Sequence, residues 1–165
     1  MATNNLINKN NDIAAGQVEL YNTQLTATGD GTIYHIPFDT ATYDNNYSWD
    51  IANKRFVAPV AGTYYFNTNV YLQSGASGTT YAFLTLTTTL KEYMLGNNSL
   101  INDIGPLNAV SLSGSVLTYM GVGDTAYIAV TARNGTKNVA VVGYTFAQSY
   151  TWFSWFLVQT GGSHV

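Results

Sequence analysis

Two histidines and three aspartates are the side chains through which this chain could do chemistry near neutral pH. His35 lies between Tyr34 and Ile36, and His164 is one residue from the C-terminus. Imidazole titrates near neutrality, so either could act as a general base. Among its neighbours, however, His35 reads as a packed or edge histidine, and no strand-turn-helix nucleophile elbow accompanies it. Asp39, Asp44 and Asp50 cluster around an aromatic segment. Paired carboxylates can cleave glycosides, and hard carboxylate oxygens can hold calcium. Yet their spacing matches no calcium loop, and aspartate in loops commonly binds its own backbone. Turn chemistry is the plainer reading. The chain is therefore read as non-enzymatic, with no cofactor and no support for calcium beyond those three carboxylates. Sequons occur at Asn46, Asn97 and Asn134, and the many tyrosines could stack on sugars or form a protein interface.

The rest of the composition narrows the partners. The chain has 165 residues, enough for one domain with a short arm. Its net charge is −3, with six basic residues scattered along it, so no basic stripe exists to follow phosphates and nucleic acid is not expected. Cysteine is absent, which excludes a disulfide framework and thiolate metal sites. Charged residues make up 9% and aromatics 14%, so Thr, Ser, Asn and Gly must keep the surface in water. The N-terminal stretch MATNNLINKNND shows no apolar signal-peptide core. No apolar run approaches the ~20 residues of a spanning helix, so membrane spanning is not expected.

These residues must be held by strands. Helical periodicity is hard to find, while short runs rich in Thr, Val, Tyr and Phe are broken by Gly, Asn and Asp. Expected strands begin at Gln17, span 32–38, and follow around Trp49 and Phe56. Longer ones are expected over 63–72, 80–90, 109–120, 124–132 and 138–146, with a closing strand near 150–158. Turns are expected at 28–32 and 74–78 and at Asn134-Gly135, and the stretch from Lys91 to Asn108 reads as loops. About ten strands suit a two-sheet sandwich. We divide the chain into a polar arm (1–16), a domain (17–159) and a tail (160–165).

The closing stretch, YTWFSWFLV, does not alternate. Trp152, Phe153, Trp155, Phe156, Leu157 and Val158 make both faces of the strand apolar. Successive side chains point to opposite faces, so a second cover is required, either a partner or a ligand.

A resemblance names that cover. The pattern Phe38-x5-Asp44-x4-Trp49-x6-Phe56-x5-Gly62-x-Tyr64-x-Phe66 resembles the aromatic signature of the globular head domain of complement component one-q. Thr68 departs from its last aromatic position. LTYMGVGDTAYIAV at 117–130 and FSWFLV at 153–158 echo two further motifs, with Trp155 where the family prefers glycine. The resemblance implies an all-β, ten-strand jelly roll of the tumour necrosis factor type, assembled as a homotrimer. It also implies that Phe38, Asp44, Trp49, Phe56, Gly62, Tyr64 and Phe66 belong to the signature core. From it we expect Tyr65, Tyr71, Tyr127, Phe153, Trp155 and Leu157 at the subunit contact. An Asn-rich arm without a secretion signal fits a virion component, such as a bacteriophage head decoration, fibre knob or tail appendage. Its partners would be a capsid, tail or host-surface protein or glycan, and its place the virion or an extracellular surface. The alternative is a soluble bacterial carbohydrate- or protein-binding module.

Overall fold

A computed structural model describes residues 13–74, 81–98, 109–133, 135–144 and 147–161. The expected turn at 74–78, most of that at Asn134-Gly135, nearly all of the arm and His164 therefore lie largely outside the described residues. Thirteen strands form among the described residues, with no helix. They are β1 (Ala15–Glu19), β2 (Gln24–Thr28), β3 (Tyr34–His35), β4 (Thr40–Asp44) and β5 (Trp49–Asp50). Next come β6 (Arg55–Val57), β7 (Gly62–Ser74), β8 (Tyr81–Thr88) and β9 (Glu92–Asn98). β10 (Ala109–Met120), β11 (Thr125–Arg133), β12 (Val139–Val141) and β13 (Trp152–Thr160) complete the set.

Two sheets face each other. One runs β2-β12-β7-β13-β1-β4, with β10 along β7; the other runs β5-β6-β11-β8-β9, with β3 beside β11. The long strands carry the alternation that a half-buried strand needs. On β7, Tyr64, Phe66, Thr68, Val70 and Leu72 are buried while the residues between them point out. On β8, Ala82, Leu84, Leu86 and Thr88 are buried in the same way.

Aromatic rings bridge the sheets. Trp49 and Phe56 come from β5 and β6, and Tyr64, Phe66, Phe153 and Trp155 from β7 and β13. Phe56 lies 5.2 Å from both Tyr64 and Phe66 and 5.3 Å from Trp155 by ring centroid. Phe38 joins at 6.1 Å from Trp49 and from Phe153. Each buried ring of this size contributes roughly 1.5–3 kcal/mol relative to exposure. At Gly62 the backbone of β13 comes so close that a Cβ would stand 2.2 Å from the Gln159 carbonyl oxygen. That explains glycine at this signature position.

Several boundaries differ from the expectation, each for a local reason. The sandwich begins earlier than residue 17, because Ala14 is fully buried and Ala15 already pairs with Phe156. Gln17 to Leu25 is not one strand. The Asp39 carboxylate accepts the Tyr21 amide at 2.7 Å and draws the chain out of the ladder between β1 and β2. Within 32–38 only Tyr34 and His35 pair, opposite Val130 and Ala129. The stretch read as loops from Lys91 contains β9, the edge strand of its sheet. Its alternation is blurred by exposed Met94 and by a bulge opposite Leu84 and Thr85.

Tyr64 makes the core sensitive to alkali. Its hydroxyl donates to the Val60 carbonyl at 2.8 Å, and burial pushes its pKa above the ordinary tyrosine value. A raised folded-state pKa means that this stabilisation is complete below the unfolded value, about 10, and is lost as pH rises through the folded one. Tyr64→Phe is expected to cost about 1 kcal/mol at neutral pH and to flatten the alkaline fall in stability. Urea titrations at neutral and alkaline pH test this; an equally steep fall in both proteins would refute it.

Candidate interaction surface

The outward row of the β7 sheet has two characters. Tyr65 lies opposite Leu117 on β10 and Phe156 on β13, and the Tyr65 and Phe156 rings are 5.1 Å apart. Leu117 is 57% exposed, Phe156 45% and Val158 52%. Beyond this apolar end the row turns polar but stays neutral. Asn67 faces Ser115 and Ser154, and Asn69 faces Ser113 and Trp152. Ser111 donates to Asn69 Oδ1 at 2.6 Å, while Asn69 Nδ2 donates to the Tyr150 carbonyl at 2.6 Å. Tyr71 closes the row, with its ring 5.2 Å from that of Tyr150. β7, β10 and β13 contain no Asp, Glu, Lys or Arg. An uncharged patch on these three strands, with large apolar residues at one end and Glu19 of β1 at its margin opposite Trp152, has the composition of a contact surface.

This geometry corrects the expected contact residues. Phe153, Trp155 and Leu157 are buried in the core of their own chain, with Trp155 only 1% exposed. They pair with Thr68, Phe66 and Tyr64, the inward row of β7, and residues directly opposite in an antiparallel ladder share a face. The exposed set on β13 is therefore Phe156 and Val158. Tyr127 does not stand on this row. It lies on β11 in the other sheet, its ring 4.3 Å from that of exposed His35. Tyr65 and Tyr71 do stand on the outward row.

The indole where the signature resemblance has glycine is accommodated across the strand. Gly16 is the β1 partner of Trp155, and a Cβ there would stand 2.3 Å from Trp155 Cζ2. The small residue has moved to the neighbouring strand. Trp155 then stacks on Trp49 at 5.9 Å. Sequence reasoning missed this exchange because Gly16 lay in the stretch taken for an arm.

The three aspartates do not converge. Asp39 binds the amides of Tyr21 and Asn22, and Asp44 accepts the amides of Ser48 and Trp49 at 2.9 Å each. Asp50 accepts the Asn53 amide and Nδ2 and pairs with Arg55 at 3.5 Å. Among the described residues no three His, Cys, Asp or Glu side chains come together as a metal cluster. No helix among them is long and apolar enough to cross a membrane.

Two antiparallel sheets joined by an aromatic core, with the first and last strands paired at the centre of one of them, define a jelly-roll sandwich. The C1q domain model matches residues 21–158, and the chain belongs to the C1q domain family. No curated protein matches it in sequence. Among solved structures it is similar to the globular domain of zebrafish complement 1qA protein, with a TM-score of 0.59 at 19% identity. That match covers 91% of this chain and 100% of the other. Murine APRIL at pH 8.5 gives 0.61 at 7% identity, over 89% and 100% of the two chains. Eiger TNF from S. frugiperda gives 0.59 at 10%, over 93% and 97%. Domains of this family are typically trimeric, non-enzymatic binding modules.

Proposed function

We propose that this chain is a homotrimeric structural or adhesive surface protein, and that it serves as a virion component such as a head decoration, fibre knob or tail appendage. The observation that carries the assembly is the outward row of β7, β10 and β13. It is uncharged and ends in Tyr65, Leu117, Phe156 and Val158. Already about half-buried, these side chains forgo roughly 1 kcal/mol each if left wet, about half the value of full burial. Covered by two further copies, they supply the second dry face that the closing stretch demanded.

The particle-borne role is supported by the Asn-rich segment ahead of β1, whose polar composition suits docking better than core packing. The chain enters at Ala14 and leaves at Gly161 at one pole of the sandwich, where Leu157 N donates to the Ala14 carbonyl and Gly161 N to that of Ala61.

Light scattering coupled to size exclusion tests the assembly, with a mass of three chains expected. A monomeric mass would remove the trimer and the role built on it. Deletion of residues 1–12 tests the docking: a trimer that no longer binds its particle supports the virion reading, and undiminished binding refutes it.

A further inference from the structure

The β4–β5 loop carries a ring that the fold does not use. Tyr47 is 94% exposed, and its backbone is left-handed, with φ 52° following φ 71° at Asn46. Glycine holds that conformation freely, whereas a bulky residue is strained there. An exposed aromatic ring kept on strained backbone contributes nothing to burial, and such outliers gather at binding sites.

The loop beneath it is firmly held. Asp44 Oδ1 and Oδ2 accept the Ser48 and Trp49 amides, Asn45 N donates to the Ala15 carbonyl, and Ser48 Oγ donates to that of Asn45. Trp49, the next anchor, is buried in the aromatic core. Together Asp44, Asn45, Asn46 and Tyr47 line a depression of about 330 Å3, near the lower end for ligand sites.

We propose that this depression binds one pyranose unit of a neutral glycan. The Tyr47 ring offers a flat π-face to the C–H face of the sugar, and the Asn45 and Asn46 carboxamides offer donors and acceptors to its hydroxyls. Asp44 is the only charged residue among the four, and a carboxylate disfavours acidic sugars. The site rests on this loop alone and not on the trimer. Assembly would raise avidity by presenting three copies but is not needed for binding.

The experiment uses the full chain from a bacterial host, so that the sequon at Asn46 stays bare. Immobilised neutral and acidic glycans are probed, with soluble methyl pyranosides as competitors. Binding to neutral glycans is expected, competed by a methyl pyranoside. Tyr47→Gly is expected to weaken it at least about tenfold while raising Tm, because the strained backbone is relieved and no buried contact is lost. Tyr47→Phe is expected to retain binding. Binding to acidic glycans only, to no glycan at all, or equally to wild type and Tyr47→Gly would overturn the proposal. A lowered Tm in Tyr47→Gly would also overturn it, by showing that the ring serves the fold. A monomer that still binds would refute the assembly and leave this site standing.

Discussion

Trp155→Ala is expected to destabilise the protomer by about 3–5 kcal/mol, the usual range for removing a large buried aromatic side chain. The indole is almost wholly buried and touches rings from both sheets, with Trp49 at 5.9 Å, Phe56 at 5.3 Å and Phe153 at 5.7 Å by centroid. Its loss opens a void that strands on both sides cannot close without shifting register. Gly16→Ala should reach the same contact from the opposite direction. The added Cβ would lie 2.3, 2.7 and 2.9 Å from three atoms of the indole, and overpacking of this kind costs about 1–3 kcal/mol. Because both changes act on one contact, they should not be additive: Gly16→Ala should be milder in a Trp155→Phe background. Urea denaturation of the four proteins measures this. An equal penalty with either residue at 155 would show that Gly16 is required by its backbone and not by the indole.

Phe156→Asp is the counterpart on the outward face. Phe156 is half-exposed in the protomer, so the change should leave the fold nearly intact. It would place a carboxylate beside Tyr65, on a face where β7, β10 and β13 offer no cation to receive it. In an assembled trimer that means buried, unpaired charge near two more copies of itself, which is strongly unfavourable. We expect a folded monomer by light scattering, with circular dichroism unchanged. A variant that remained trimeric would place the contact on another face. Neighbouring residues on one strand thus separate the two roles: position 155 acts on folding and position 156 on assembly.

Much of this fold was legible in the residues. The aromatic spacing from Phe38 to Phe66 identified the family, and the chemistry behind that spacing is visible in the rings meeting across the sheets. Asp44 was rightly read as turn chemistry, since it holds two amides of its own loop. The face of β13 was not legible. When both faces of a strand are apolar, the alternation that normally reveals the inside carries no information, and only register decides. Register came from β7, whose inward residues Tyr64 and Phe66 pair with Leu157 and Trp155. β9 was missed for a related reason, because an edge strand with exposed apolar and polar residues on one face loses its period. The Tyr47 loop left no sequence signal, since left-handed backbone at a tyrosine shows only in three dimensions.

The absence of charge from β7, β10 and β13 has a consequence for how an assembly on this face responds to its surroundings. With no ion pairs to screen, its stability should be nearly indifferent to moderate sodium chloride, and sulfate should strengthen it. Burial of apolar surface weakens on cooling, so subunits held by Tyr65, Leu117, Phe156 and Val158 should separate more readily in the cold than at body heat. Sedimentation at low and at physiological temperature would show this as a shift toward lighter species in the cold, and added salt would not reproduce it.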